Sequence, residues 1–288
     1  MDSKDSKITL LASQKRLFID ATPLPSPTSA TVVFLHGLGS STTFYEASLA
    51  LSGLAATHQT IRYDFDGHGL SPVSGEAVSI DSLVEDLREV LDALGVERAG
   101  IIAHSMSGLV ASTFAARYPS RVSKLCAYPR FLPLPQLLTS FAVLIGPVKA
   151  MPPAGAAAML ARASTVRTSG LSAIVYAVIA AGTSPETKLS SPLSLALIRA
   201  LVLPTPVEGY ARACEALAKA TDPDWSKVEA ETLIIGGAAD YLSSKEVIGV
   251  LVEEMQKART VELKGVGHWH AVEAPEKVGE LLREFFEV

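Results

Sequence analysis

Apolar positions along the chain follow two alternating rhythms. "ATVVFLHG" (Ala30–Gly37) and "RAGIIAH" (Arg98–His104) carry unbroken apolar runs, the signature of strands buried on both faces. "KRLFIDA" (Lys15–Ala21) alternates and reads as an early strand, and "TIRYDFDGHG" (Thr60–Gly69) reads as a strand ending in a glycine-rich turn. Helical spacing separates them. Thr43–Leu54 reads as a helix, as does Met106–Tyr118. In Ile80–Leu94 the apolar residues Ile80, Leu83, Leu87, Val90, Leu91 and Leu94 share one face, with Asp81 near the start. Strands alternating with helices imply crossover connections and a mostly parallel sheet.

The rhythm lapses between about Cys126 and Asp224, where Ala, Leu and Pro dominate and the chain reads as helical. It resumes with "ETLIIGGAAD" (Glu231–Asp240), a helix near Lys245–Met255, "ARTVELKG" (Ala258–Gly265) and a helix from Pro275. The pattern predicts an α/β core in two parts, residues 1–125 and 226–288, interrupted by a helical insertion over 126–225. Such an insertion caps the carboxyl ends of the strands, where open α/β sheets bind ligands.

Composition narrows the partners. In 288 residues, 48% are hydrophobic and 19% charged, and the net charge is −5. A large core is expected, and the scattered Lys and Arg form no dense basic run, which argues against nucleic acid or an anionic membrane surface. Cys126 and Cys214 have no metal or redox spacing, which suits a reducing compartment. The most apolar stretch, Leu137–Val148, is shorter than the roughly 20 residues a bilayer crossing needs. With no secretory pattern at the start, the reading is a cytoplasmic protein.

Three groups lie just past the carboxyl ends of separate predicted strands: Ser105, Asp240 and His268. Alone, a serine at a helix start is ordinarily a cap, and a histidine in a loop is ordinarily polar surface. Together they occupy places that a parallel sheet brings to one edge. A serine hydroxyl needs a base to become a nucleophile. A histidine takes and returns the proton, and a buried carboxylate fixes its tautomer. The order Ser, Asp, His, with the serine at a strand-to-helix turn, is that of one hydrolase class.

Four segments carry a family resemblance: "FLHGLGSS" (Phe34–Ser41), "DFDGHGLS" (Asp64–Ser71), "AHSMSG" (Ala103–Gly108) and "GVGHWHAVEAPEKV" (Gly265–Val278). The chain resembles an α/β-hydrolase, and within that superfamily the 3-oxoadipate enol-lactonase and esterase-like group. The resemblance implies an α/β-hydrolase fold: a mostly parallel sheet flanked by helices, with a helical cap inserted after the sixth strand. It also implies an oxyanion hole made by the backbone N–H groups of Leu38 and Met106. No cofactor and no metal are expected.

Two positions depart from the family pattern. The residues two before and two after the nucleophile, usually glycine, are Ala103 and Ser107. Both are small, and the Ser107 hydroxyl is placed to bond within the turn. Asp64, Asp66 and His68 read as turn chemistry, with Asp66 bonding nearby amides. Strand alternation turns His104 away from Ser105, and His270 lies two residues beyond the matching histidine. Trp269 packs against either the pocket or the core.

The sixth strand is expected to follow "RYPSRVSKL" (Arg117–Leu125), but "CAYPRFLPLPQLLTSFA" (residues 126–142) intervenes before "VLIGPVK". Its prolines are unfit for a central strand. Codon choice allows a GT start within Cys126 and an AG end across Ala142 and Val143. An in-frame retained intron and a cap-entry loop are the two readings.

The leading functional expectation is a serine hydrolase of carboxylic esters or lactones working through an acyl-enzyme. A C–C bond hydrolase or perhydrolase on the same triad, and a ligand-binding protein that keeps the fold without catalysis, stay open. The expected partner is a small-molecule ester or lactone. The Ala- and Leu-rich cap suggests an apolar or small, partly apolar substrate; no cationic cluster favours an acidic one, for which Lys149, Arg162 and Arg167 are the cations within reach.

Overall fold

The computed structural model describes residues 7–122, 124–125 and 139–286. Its strands are β1 (Ile8–Leu10), β2 (Arg16–Ala21), β3 (Thr31–Leu35), β4 (Gln59–Tyr63), β5 (Gly100–His104), β6 (Lys124–Leu125), β7 (Thr139–Ile145), β8 (Glu231–Gly237) and β9 (Ala258–Leu263). They join in the order β1-β2-β4-β3-β5-β7-β8-β9, with the two-residue β6 beside β7. The pairs β1–β2, β2–β4 and β6–β7 are antiparallel, and the other pairs are parallel.

Every residue of β3 and β5 is buried, because helices cover both faces of the central strands. The helices of the core are α1 (Glu46–Ser52), α2 (Ile80–Ala93) and α3 (Met106–Arg117) before the insertion. The apolar stripe of α2 predicted from sequence is buried except at Leu94, and Ser79 starts the helix by exchanging hydrogen bonds with Ser82.

The strand expected to end in "VLIGPVK" is β7, the sixth once β6 is set aside. It differs from expectation at its start. Thr139 already belongs to it, so the strand begins inside the stretch 126–142. The physical reason is pairing. β7 lies between β5 and β8, and residues 142–145 are buried there. The prolines stop short of it. The rest of that stretch, 126–138, and with it the retained-intron reading and Cys126, lies outside the described residues.

Between β7 and β8 the chain forms α4 (Pro153–Ser169), α5 (Val175–Gly182), α6 (Pro185–Ser190), α7 (Pro192–Val202) and α8 (Val207–Ala218). The core closes with α9 (Lys245–Glu254), the short α10 (His270–Glu273) and α11 (Pro275–Phe285).

Register decides where the site lies. Leu35 pairs with Ala103, His104 with Ile145, Ile145 with Ile235, and Gly237 with Leu263. Five strands therefore finish along one edge. The loops that follow carry Leu38, Ser105, Gly146, Asp240 and His268. No helix among the described residues is long and apolar enough to cross a membrane.

Candidate active site

Ser105 stands between β5 and α3 with φ 57° and ψ −123°. A non-glycine residue in this region costs of order 1–3 kcal/mol and persists only where its surroundings enforce it. Here the surroundings are tight. The Ser105 N–H donates to the Ile145 carbonyl at 3.0 Å. A Cβ added to Gly37 would lie 2.8 Å from His104 Nδ1 and 3.1 Å from Ser105 Cβ, so only glycine lets the neighbouring loop approach the turn.

Ser107 fastens the same turn to its neighbour strand. Its hydroxyl donates toward the carbonyls of Leu35, at 2.8 Å, and His104, at 2.9 Å. It also accepts the His104 N–H at 2.9 Å. The departure from glycine thus adds a buried polar link between β3 and the elbow, as the hydroxyl's position suggested.

The three predicted residues come together. His268 Nε2 lies 2.7 Å from Ser105 Oγ, and His268 Nδ1 lies 2.8 Å from Asp240 Oδ2. The other Asp240 oxygen accepts the N–H groups of Leu242 at 2.9 Å and Ser243 at 3.1 Å. Burial works to raise the Asp240 carboxyl, but the adjacent His268 and His270 outweigh it. The group is held well below the usual carboxylate range. A carboxylate kept charged on one imidazole nitrogen, with a serine hydroxyl on the other, is the arrangement that activates a serine.

Leu38 lies on the loop after β3 and Met106 opens α3, on either side of the contact between Gly37 and Ser105. Among the described residues, neither backbone N–H has an acceptor. His36 pins the Leu38 loop, a part it was not assigned from sequence. Its Nε2 accepts the Phe65 N–H at 3.0 Å, so its Nδ1 carries the proton and donates to the Gly37 carbonyl at 2.8 Å. The "HG" pair was the available signal.

The remaining polar residues sort themselves by contact. Asp64 accepts the N–H groups of Thr42 at 2.6 Å and Leu70 at 2.8 Å. Asp66 accepts the Ser74 N–H at 2.7 Å. These are turn contacts, as expected. Trp269 is buried against Gly182, Phe44 and His104, which places it in the packing between α5 and the core. His104 does not face away from the site. Its Nε2 donates to the His268 carbonyl at 2.7 Å, and His270 Nδ1 donates to the same oxygen at 2.9 Å. Alternation fails as a guide because the left-handed backbone of Ser105 breaks the strand's pleat.

Helix α8 lies against this loop cluster. Tyr210 packs on Gly39, whose φ is +66°, and Gly209 meets the backbone of Gly67. Of the three cations considered for an acidic substrate, two are neutralised. Arg167 pairs with Glu208 and Glu215, and Lys149 pairs with Asp222 at 3.5 Å. Arg162, beside the Tyr210 hydroxyl, has no carboxylate within ion-pair distance among the described residues.

Similarity to known proteins covers nearly the whole chain. It is 28% identical over 256 residues to 3-oxoadipate enol-lactonase 1 of Acinetobacter baylyi, covering 88% of this chain and 87% of that protein. The enol-lactonase of Burkholderia xenovorans LB400 superposes with a TM-score of 0.84 at 23% identity, covering 98% of this chain and 100% of the other. A malate-bound thermophilic esterase of Thermogutta terrifontis superposes at 0.83 with 22% identity, covering 97% of each. These two structures share the fold. Residues 32–281 match the alpha/beta hydrolase family, and the chain belongs to it.

Proposed function

We propose that the protein hydrolyses a carboxylic ester or lactone, with Ser105 as nucleophile, His268 as base and then acid, and Asp240 as the group that orients His268. The observation that carries this reading is the unbroken chain Ser105 Oγ, His268 Nε2, His268 Nδ1, Asp240 Oδ2, at 2.7 Å and 2.8 Å. Similarity to an enol-lactonase supports the choice of bond.

Ser105 Oγ attacks the carbonyl carbon as His268 Nε2 takes its proton. The negative charge on the carbonyl oxygen is met by the N–H groups of Leu38 and Met106. Each such donor is typically worth about 2.7–4 kcal/mol in the transition state. Collapse breaks the bond to the leaving oxygen, which takes the proton from His268. Water then repeats the sequence on the acyl-enzyme and frees the acid. Helices α4–α8 act as a cap: Tyr210 backs the Leu38 loop through Gly39, and α5 meets the His268 loop.

One observation favours a narrower substrate class. Among the described residues Arg162 has no acidic partner, while its neighbours Arg167 and Arg212 are both paired. A lactone or ester that bears a free carboxylate would supply one.

Hydrolysis of short p-nitrophenyl esters and a lactone panel, by wild type and Ser105→Ala, tests the reaction. Turnover by wild type and its loss in the variant is the expected result; equal rates sink the assignment. Within the same panel, Arg162→Ala is expected to raise KM for carboxylate-bearing substrates and leave neutral esters unchanged.

A further inference from the structure

His268 is held on the irregular loop between β9 and α10, and its imidazole must meet two partners at once. The loop is fixed by contacts that none of the sequence motifs explained. Glu273, on α10, aims its carboxylate back along the loop. Its Oε1 accepts the N–H of Trp269 at 3.1 Å, and its Oε2 accepts the N–H of Gly267 at 3.1 Å. These amides belong to the residues immediately before and after His268.

The same Oε2 reaches into the helical insertion. It accepts the Ser184 N–H at 2.9 Å and the Thr187 hydroxyl at 2.8 Å. Both donors lie where α5 gives way to α6. A carboxylate has about four lone-pair sites and no donor, and four donors converge on this one. The contact is reinforced from the other side. The His268 N–H donates to the Gly182 carbonyl at 2.7 Å, and a Cβ added to Gly267 would lie 2.7 Å from that same oxygen. Loop and insertion meet with no room between them.

We propose that Glu273 is a positioning residue that couples the seat of the cap to the imidazole of His268. It touches neither Ser105 nor the site of bond cleavage. It sets the path of the backbone on both sides of His268, and it sets that path relative to α6. A shift of the α5–α6 junction is therefore transmitted to the Ser105–His268 hydrogen bond. The inference rests on the proposed role of Ser105 and His268 and adds to it a mechanical link from cap to base.

The side-chain chemistry separates the two halves of the link. Glu273→Gln keeps one carbonyl oxygen for the three donors at Oε2, but sets an NH2 group against the Trp269 N–H. Glu273→Ala removes all four acceptor contacts. Thr187→Val removes one donor from the cap side and leaves the loop-side bonds in place.

The test is the rate at which a fluorophosphonate probe labels Ser105, with kcat and KM on a reactive ester, each normalised to folded protein. Misplacing a catalytic group by about 1 Å costs up to roughly 10²-fold. The expected loss in labelling rate and kcat is therefore about 10²-fold for Glu273→Ala and about tenfold for Glu273→Gln. Thr187→Val is expected to lose about threefold, with KM little changed throughout. Should Glu273→Ala fail to fold, the other two variants decide. Labelled wild type with both variants reacting at the wild-type rate overturns the coupling and leaves the triad standing. Failure of the folded wild type to label Ser105 overturns the triad, and the coupling with it.

Discussion

Gly209 of α8 and Gly67 of the "DGHG" turn meet backbone to backbone, with no space for a Cβ on Gly209 against the Gly67 carbonyl. This contact seats α8, and the next residue, Tyr210, then covers Gly39. Gly209→Ala must lift the helix from the turn. Overpacking of this kind costs about 1–3 kcal/mol. The variant is expected to melt at lower temperature and to lose esterase activity together, as the Leu38 loop loses its backing. Gly75→Ala, where a Cβ meets nothing within 4 Å, is the control and should melt like wild type. A Gly209→Ala protein with wild-type melting and rate contradicts the seating.

Ser107 tests the elbow itself. Its hydroxyl serves the Leu35 and His104 carbonyls and the His104 N–H. Ser107→Ala strands a buried amide, which costs about 1–3 kcal/mol. Urea denaturation should show that loss in midpoint with an unchanged slope. An unchanged midpoint would mean that the hydroxyl is incidental.

Buried imidazoles make stability sensitive to acid. Burial lowers His36, His68 and His270 to about 4, and lowers His104 well below its usual value. A group whose folded pKa is depressed favours the fold above its unfolded pKa, here 6.5, and loses that contribution as pH falls through the folded value. The window is therefore from pH 6.5 down to about 4. Each unit of depression corresponds to about 1.4 kcal/mol. Burial raises Asp86, against Lys15, to about 6, and its contribution runs the opposite way, lost as pH rises through that value. Burial also raises Asp64 and lowers His58, so two carboxyls are set against five imidazoles and the acid side is the weaker. Urea midpoints at pH 7.5, 6.5 and 5.0 should fall in that order, and a midpoint at pH 5.0 equal to that at pH 7.5 contradicts the assignment.

Much of this was legible in the sequence because strand ends are. The apolar runs at β3, β5 and β8 located the turns that carry Leu38, Ser105 and Asp240, and a parallel sheet places such turns together. The start of β7 was not legible. Thr139 follows a proline-rich stretch, and pairing with β5 and β8 makes the strand there. Nor was the inward reach of His104 legible, since the positive φ of Ser105 cancels the alternation rule. Glu273 stands within Gly265–Val278, yet its partners at Ser184 and Thr187 come from the insertion, far away in sequence. Spacing along one chain segment carries no sign of such a contact.

Asp240 is buried and joined to His268 Nδ1. Asp240→Asn keeps the shape but favours the wrong imidazole tautomer, and such a change typically costs on the order of 10⁴-fold in kcat. Stopped-time assays on a p-nitrophenyl ester read this directly. A loss under tenfold would assign the carboxylate a structural part only.

The proposed hydrolysis requires Ser105 to be an activated nucleophile. Intact-mass analysis after exposure to a fluorophosphonate, followed by peptide mapping, measures this most directly. A single adduct on Ser105, absent in Ser105→Ala and in His268→Ala, is the predicted result. A folded protein that takes no adduct, or takes it on another residue, contradicts Ser105 as the nucleophile.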